Sequence, residues 1–116
     1  MKAERNPADY LSDILDASGK ISTFIGGLTS AQFAADEKTF FAVIRGLEII
    51  GEAARKIPPS VREKYPQIPW REITGMRDKL IHDYMGVNVT VVWKTVTEDL
   101  PAIEPQIRQM LNELGG

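Results

Sequence analysis

Three residues near the middle of the second half carry side chains suited to acid–base chemistry on an anionic substrate: Arg77, His82 and Tyr84. His82 is the only histidine in 116 residues, and cysteine is absent. Thiolate nucleophiles, disulfides and cysteine-based metal sites are thereby excluded, and one histidine is too few for a zinc site. Imidazole titrates near neutrality and serves as acid or base. Guanidinium keeps its charge and holds phosphate bidentately. The phenol of Tyr84 adds a hydroxyl two residues from the histidine. Each has a plainer reading. The histidine can be merely packed or solvated, Arg77 can lie along an apolar stripe and pair with Glu48 or Glu52, and Tyr84 can be a core aromatic.

The elements around these residues read as helices. Asn6 followed by Pro7 starts the first, whose stripe is Tyr10, Leu11, Ile14, Leu15, Ile21, Phe24, Ile25 and Leu28, loosening at Gly26-Gly27. Asp36 caps a second helix to Ile57, with Phe40, Ile44, Leu47, Gly51 and Ala54 inward and Arg45, Glu48, Glu52 and Lys56 on the polar side. Pro58-Pro59 stops it, and a proline-punctuated connector follows with one short turn over residues 61–65. A third helix starts near Pro69 and runs through Tyr84 to a stop at Gly86. Asn88 caps a last helix on Val89, Val92, Trp93, Val96 and Leu100. Its β-branched run would score as strand, but a lone strand has no partner in this chain. Pro101 is expected to kink or restart it before Ile103, Ile107, Met110, Leu111 and Leu114. Gly46, Gly51 and Gly75 sit inside helical patterns, which suits close helix packing and not a phosphate loop. Trp70 and Trp93 read as core or dimer anchors.

The predicted fold class is therefore all-α: one domain over residues 1–116, an antiparallel bundle of four to five helices. A charged amino-terminal stretch without an apolar core and short apolar runs point to a soluble, cytoplasmic chain with no membrane contact. The formal charge of −2 gives no general attraction to nucleic acid, but residues 45–82 hold 8 basic and 5 acidic side chains. That excess is either a solvated helix face or a modest cationic surface for phosphate. On a regular helix Arg77 and His82 stand roughly 140° apart. Either the arginine curls round, or a second copy across a two-fold axis completes the site, which would make a C2 dimer part of the mechanism.

Residues 68–87, IPWREITGMRDKLIHDYMGV, with their Arg-x4-His-x-Tyr core, resemble the signature of the HepT-like branch of the HEPN-domain proteins. Residues 43–57, VIRGLEIIGEAARKI, resemble the same family's second helix. Asp78 stands where that family usually has asparagine. The resemblance implies a HEPN-like helical homodimer with two motif copies facing one composite cleft. It further implies a metal- and cofactor-independent endoribonuclease, commonly the toxin of a toxin–antitoxin pair. The implied partners are RNA and a small nucleotidyltransferase antitoxin that adds AMP to the motif tyrosine. Carried over, Arg77 and His82 are the catalytic pair and Tyr84 the modified residue. Asp78, Lys79, Arg45 and Glu48 are supporting or substrate-contacting positions. The alternative is a non-catalytic module that docks the nucleotidyltransferase or a nucleotide.

Overall fold

Capping chemistry sets where each helix begins. The computed structural model describes residues 5–75 and 88–115. Helix α1 (Pro7–Ile25) opens on a reciprocal box in which the Asp9 amide donates to Asn6 Oδ1 at 3.1 Å and the Asn6 amide to Asp9 Oδ2 at 3.0 Å. Leu11, Ile14, Ala17, Ser18 and Ile21 are buried. Phe24, expected on the stripe, is 44% exposed. At 100° per residue it falls about 80° from Ile14, on the flank of the buried face. Gly27, at φ +81°, gives the chain its left-handed exit.

A short helix α2 (Ser30–Ala35), absent from the sequence expectation, follows. Thr29 and Gln32 form a second capping box, and Phe33 is fully buried, 5.0 Å from the Trp93 ring and 5.8 Å from Phe40. Helix α3 (Glu37–Lys56) starts at the expected cap, where Asp36 accepts from the Thr39 amide at 3.0 Å and its hydroxyl at 2.7 Å. Those bonds, the amide's first, hold the Asp36 carboxyl below its ordinary pKa. Tyr10 and Asp13 share a groove with Glu52 and Lys56 while Phe24 shares one with Ala42, so α1 and α3 pack antiparallel. A Cβ on Gly46 would lie 2.8 Å from the Ile21 side chain, so close packing does account for that glycine. Gly51 is buried as well. Among the described residues, nothing lies within 4 Å of the same position at Gly75.

Helix α4 (Pro59–Arg62) lies two residues earlier than the expected turn because Pro59 takes the first helical position. Residues 70–75 are helical and form α5; the Ile73 amide bonds the Pro69 carbonyl at 3.1 Å, so Pro69 is the residue before the helix. Asn88 caps α6 (Val89–Lys94), accepting from the Thr90 and Val91 amides. The strand-like run is helix, as expected. Thr95 and Thr97 return their hydroxyl protons to the Val91 and Trp93 carbonyls at 2.9 and 2.7 Å, satisfying polar groups within the helix.

The helix is interrupted before Ile103, as expected of Pro101, but the break is absorbed upstream of the proline. The adjustment is a π-turn at Thr95–Asp99, after which α7 (Leu100–Glu113) continues with Pro101 in its first turn, where no N–H is needed. Pro105 lies inside α7 on its exposed side. Ser18 Oγ donates to Glu104 Oε2 at 3.3 Å, joining α7 to α1. All described regular structure is helical.

Candidate functional site

Five of the seven site residues (Arg77, Asp78, Lys79, His82 and Tyr84) lie outside the described residues. What is described is the element that leads into them. Trp70 and Ile73 of α5 are 8% and 1% exposed, which fixes the inward side of that helix. Trp70 is therefore a core residue and not an exposed dimer anchor. Its indole N–H donates to the Tyr65 carbonyl at 3.0 Å, as buried tryptophan nitrogens require. Trp93 is half-buried against Phe33.

Arg45 and Glu48 are both on α3, 3.9 Å apart, with the Arg45 side chain 72% exposed. Such a pair is worth at most about 1 kcal/mol, so the guanidinium can exchange its partner for a phosphate. The two line a groove of about 470 Å³ between α1 and α3, together with Arg5, Tyr10, Asp13 and Lys56. Arg5 is committed: it pairs with Asp13 at 2.7 Å, stacks 4.9 Å from the Tyr10 ring centre, and has its pKa raised chiefly by the Asp13 bond. The groove therefore mixes both signs, and Arg45 and Lys56 supply its cations. Among the described residues, no group of three or more His, Cys, Asp or Glu could hold a metal, and no helix is long and apolar enough to cross a membrane.

Sequence reasoning missed a cluster on the connector between α3 and α5. Arg62 Nε donates to the Ile57 carbonyl at 3.0 Å, closing the end of α3. The Tyr65 hydroxyl donates to Glu113 Oε1 at 2.8 Å, and Gln109 Nε2 donates to Glu113 Oε2 at 3.1 Å. Tyr65 and Glu113 lie 48 positions apart with no periodicity linking them. The misplaced carboxylate at the end of α7 is the one sequence sign that could have drawn attention.

The arrangement is a small helical bundle on an antiparallel α1–α3 pair, with its chemistry-bearing motif entered from the buried start of α5. The chain belongs to the HepT-like ribonuclease family, whose model, described as "Ribonuclease HepT-like", matches residues 14–110. It is 49% identical over 107 residues to "Probable ribonuclease HepT" of Thermococcus cleftensis, covering 92% of this chain and 97% of that one. A protein of Caldanaerobacter subterraneus is 39% identical, with 94% of this chain and 97% of the relative covered. One of Methanocaldococcus jannaschii is 40% identical, with 97% and 93% covered. Both are provisionally named RNases. No solved structure matches the chain.

Proposed function

We propose that this chain is a metal-independent endoribonuclease acting as a homodimer, with Arg77 and His82 of both protomers in one composite cleft. The observation that carries this reading is the family match over residues 14–110, which takes in the whole Arg77-x4-His82-x-Tyr84 motif. The residues suffice for the reaction. One histidine takes the proton of the ribose 2′-hydroxyl, the 2′-oxygen attacks phosphorus, and the bond to the 5′-oxygen breaks. A second histidine protonates that leaving oxygen, giving a 2′,3′-cyclic phosphate and a 5′-hydroxyl. Arg77 bears the charge of the transition state. Each chain holds one histidine, so the partner supplies the other. Arg45, with Glu48 beside it, and Lys79 extend the contact to neighbouring phosphates, and Asp78 adjoins Arg77. The direct test is RNA incubated with purified protein in EDTA, wild type against His82→Ala. The Asp78 carboxylate, where the family usually has a neutral amide, favours one rival: a non-catalytic module that docks its partner or a nucleotide. RNA left intact by wild-type protein supports that rival.

The dimer is a separate expectation. Sedimentation equilibrium at micromolar concentration should give about twice the 12.9 kDa chain mass. A monomer under those conditions overturns the composite site.

Within the same reading the chain is a cytoplasmic toxin, controlled by a small nucleotidyltransferase antitoxin that attaches AMP to Tyr84. A phosphodiester charge and a nucleoside beside Arg77 oppose RNA binding by occupying the cation and filling the cleft. Tyr84→Phe should stay folded and active yet escape neutralisation on co-expression with that antitoxin. Intact-mass and peptide mass spectrometry read the modification, and an unmodified Tyr84 in silenced protein points instead to inhibition by complex formation.

A further inference from the structure

Two phenylalanines stand exposed on one side of the α1–α3 pair: Phe41 at 63% and Phe24 at 44%. Phe24 lines a groove with Ala42 and Arg45. Around the axis of α3, Phe41 stands about 40° from Arg45 and about 20° from Glu48 and Glu52, in the middle of the outer face. Its ring touches Phe40, 6.4 Å between centres, which anchors it without covering it. Three turns further along α3, the same side opens into the groove of about 470 Å³ lined by Tyr10, Ile49, Glu52, Ala53 and Lys56. One face therefore carries both a projecting ring and an open groove.

Its charges are as self-matched as its shape. Arg45 and Glu48 stand 3.9 Å apart, with the arginine side chain 72% exposed. Let two such faces meet antiparallel across a two-fold axis that passes midway between these residues. Arg45 of each copy is then level with Glu48 of the other. Phe41 lies four residues before Arg45, and Glu52 four after Glu48. The same register therefore brings each ring level with the partner's groove at Glu52 and Ala53. Asp13, Asp16 and Glu48 along this side oppose a uniformly anionic occupant, whereas a second copy brings matched signs. Area agrees as well. Helix α3, at 20 residues, is about 30 Å long. With α1 beside it the pair offers on the order of 600 Å², near the roughly 800 Å² per partner of a standard interface.

We infer that the outer face of α3, with Phe24 at its edge, is the surface on which two copies of this chain meet. Phe41 enters the partner's groove, and Arg45 pairs with Glu48 across the axis, twice. The contact is isologous, so each copy gives and receives the same ring and the same charge. The inference rests on the two-fold assembly of the proposed function and assigns it a surface. It also turns Arg45 and Glu48 from phosphate contacts into dimer contacts.

The test is sedimentation equilibrium on the full chain as wild type, Phe41→Ala, Arg45→Glu and Glu48→Arg, the last two also as an equimolar mixture. Phe41→Ala should raise the dimer Kd about thirtyfold, the loss expected of a ring that anchors an interface. Arg45→Glu and Glu48→Arg should each be monomeric where wild type is dimeric, because like charges then meet twice across the axis. Their mixture should recover a dimer holding one chain of each, read by native mass spectrometry. Pairing within a single chain gives no such recovery. A wild-type dimer whose Kd no variant changes overturns the inference and leaves the composite cleft to another face. Dimers that persist while Phe41→Ala and Arg45→Glu lose single-stranded RNA, followed by fluorescence anisotropy, assign the face to RNA and overturn it too. A monomeric wild type overturns the inference and the composite cleft together. Variants that are monomeric yet cleave RNA at the wild-type rate uphold the surface and remove the second histidine from the mechanism.

Discussion

His82→Ala should reduce RNA cleavage by roughly 10²–10⁴-fold, the range that a positioned general acid or base contributes. The expectation is severe because nothing in the chain can stand in. There is no second histidine and no cysteine, and a carboxylate or a lysine titrates far from neutrality. Under the composite-site reading the loss lies toward the upper end of that range, since one substitution removes both the base and the acid of a two-fold cleft. Arg77→Ala should be comparably inactive, because an unneutralised phosphorane leaves the histidines with no low-energy path. The double variant should be little worse than either single one, as residues acting on one transition state are not additive. Cleavage by wild type should persist in EDTA. Activity that disappears on chelation and returns with magnesium assigns the reaction to another mechanism. Unchanged cleavage by His82→Ala means the activity belongs to a contaminant.

How far the sequence reveals this architecture depends on which physical signal each element carries. Asn6, Asp36 and Asn88 are legible because capping is local chemistry: each side chain accepts from amides two or three residues on. The β-branched run after Asn88 is legible by elimination, since no second strand was available to pair with it. Helix α2 escapes because six residues make less than two turns, too few for periodicity to register. Its box, Thr29 with Gln32, is plain only once sought. The π-turn escapes for a different reason: proline predicts an interruption but not where the chain will absorb it. Arg77, His82 and Tyr84 are legible as a motif because their spacing is local. The Tyr65–Glu113 contact is created by tertiary folding alone.

Phe33 makes α2 more than a connection, and its removal should be a costly core change. The ring has no exposure and lies against Phe40 of α3 and Trp93 of α6, so one side chain joins three helices. Truncating a fully buried phenylalanine to alanine costs about 3–5 kcal/mol, from lost transfer energy and the cavity left behind. A six-residue helix has little propensity of its own to hold α2 in place once that contact is gone. In a domain of this size each kcal/mol moves Tm by roughly 4–8 °C, so Phe33→Ala should lower Tm by at least about 12 °C. Phe33→Leu, which fills much of the space, should lose less than half of that. Thermal denaturation followed by circular dichroism gives both values. Hydrogen exchange in Phe33→Ala should show α2 and α6 opening before the α1–α3 pair, where Ile21 packs against Gly46 without Phe33. A drop of only two or three degrees would place α2 outside the cooperative core.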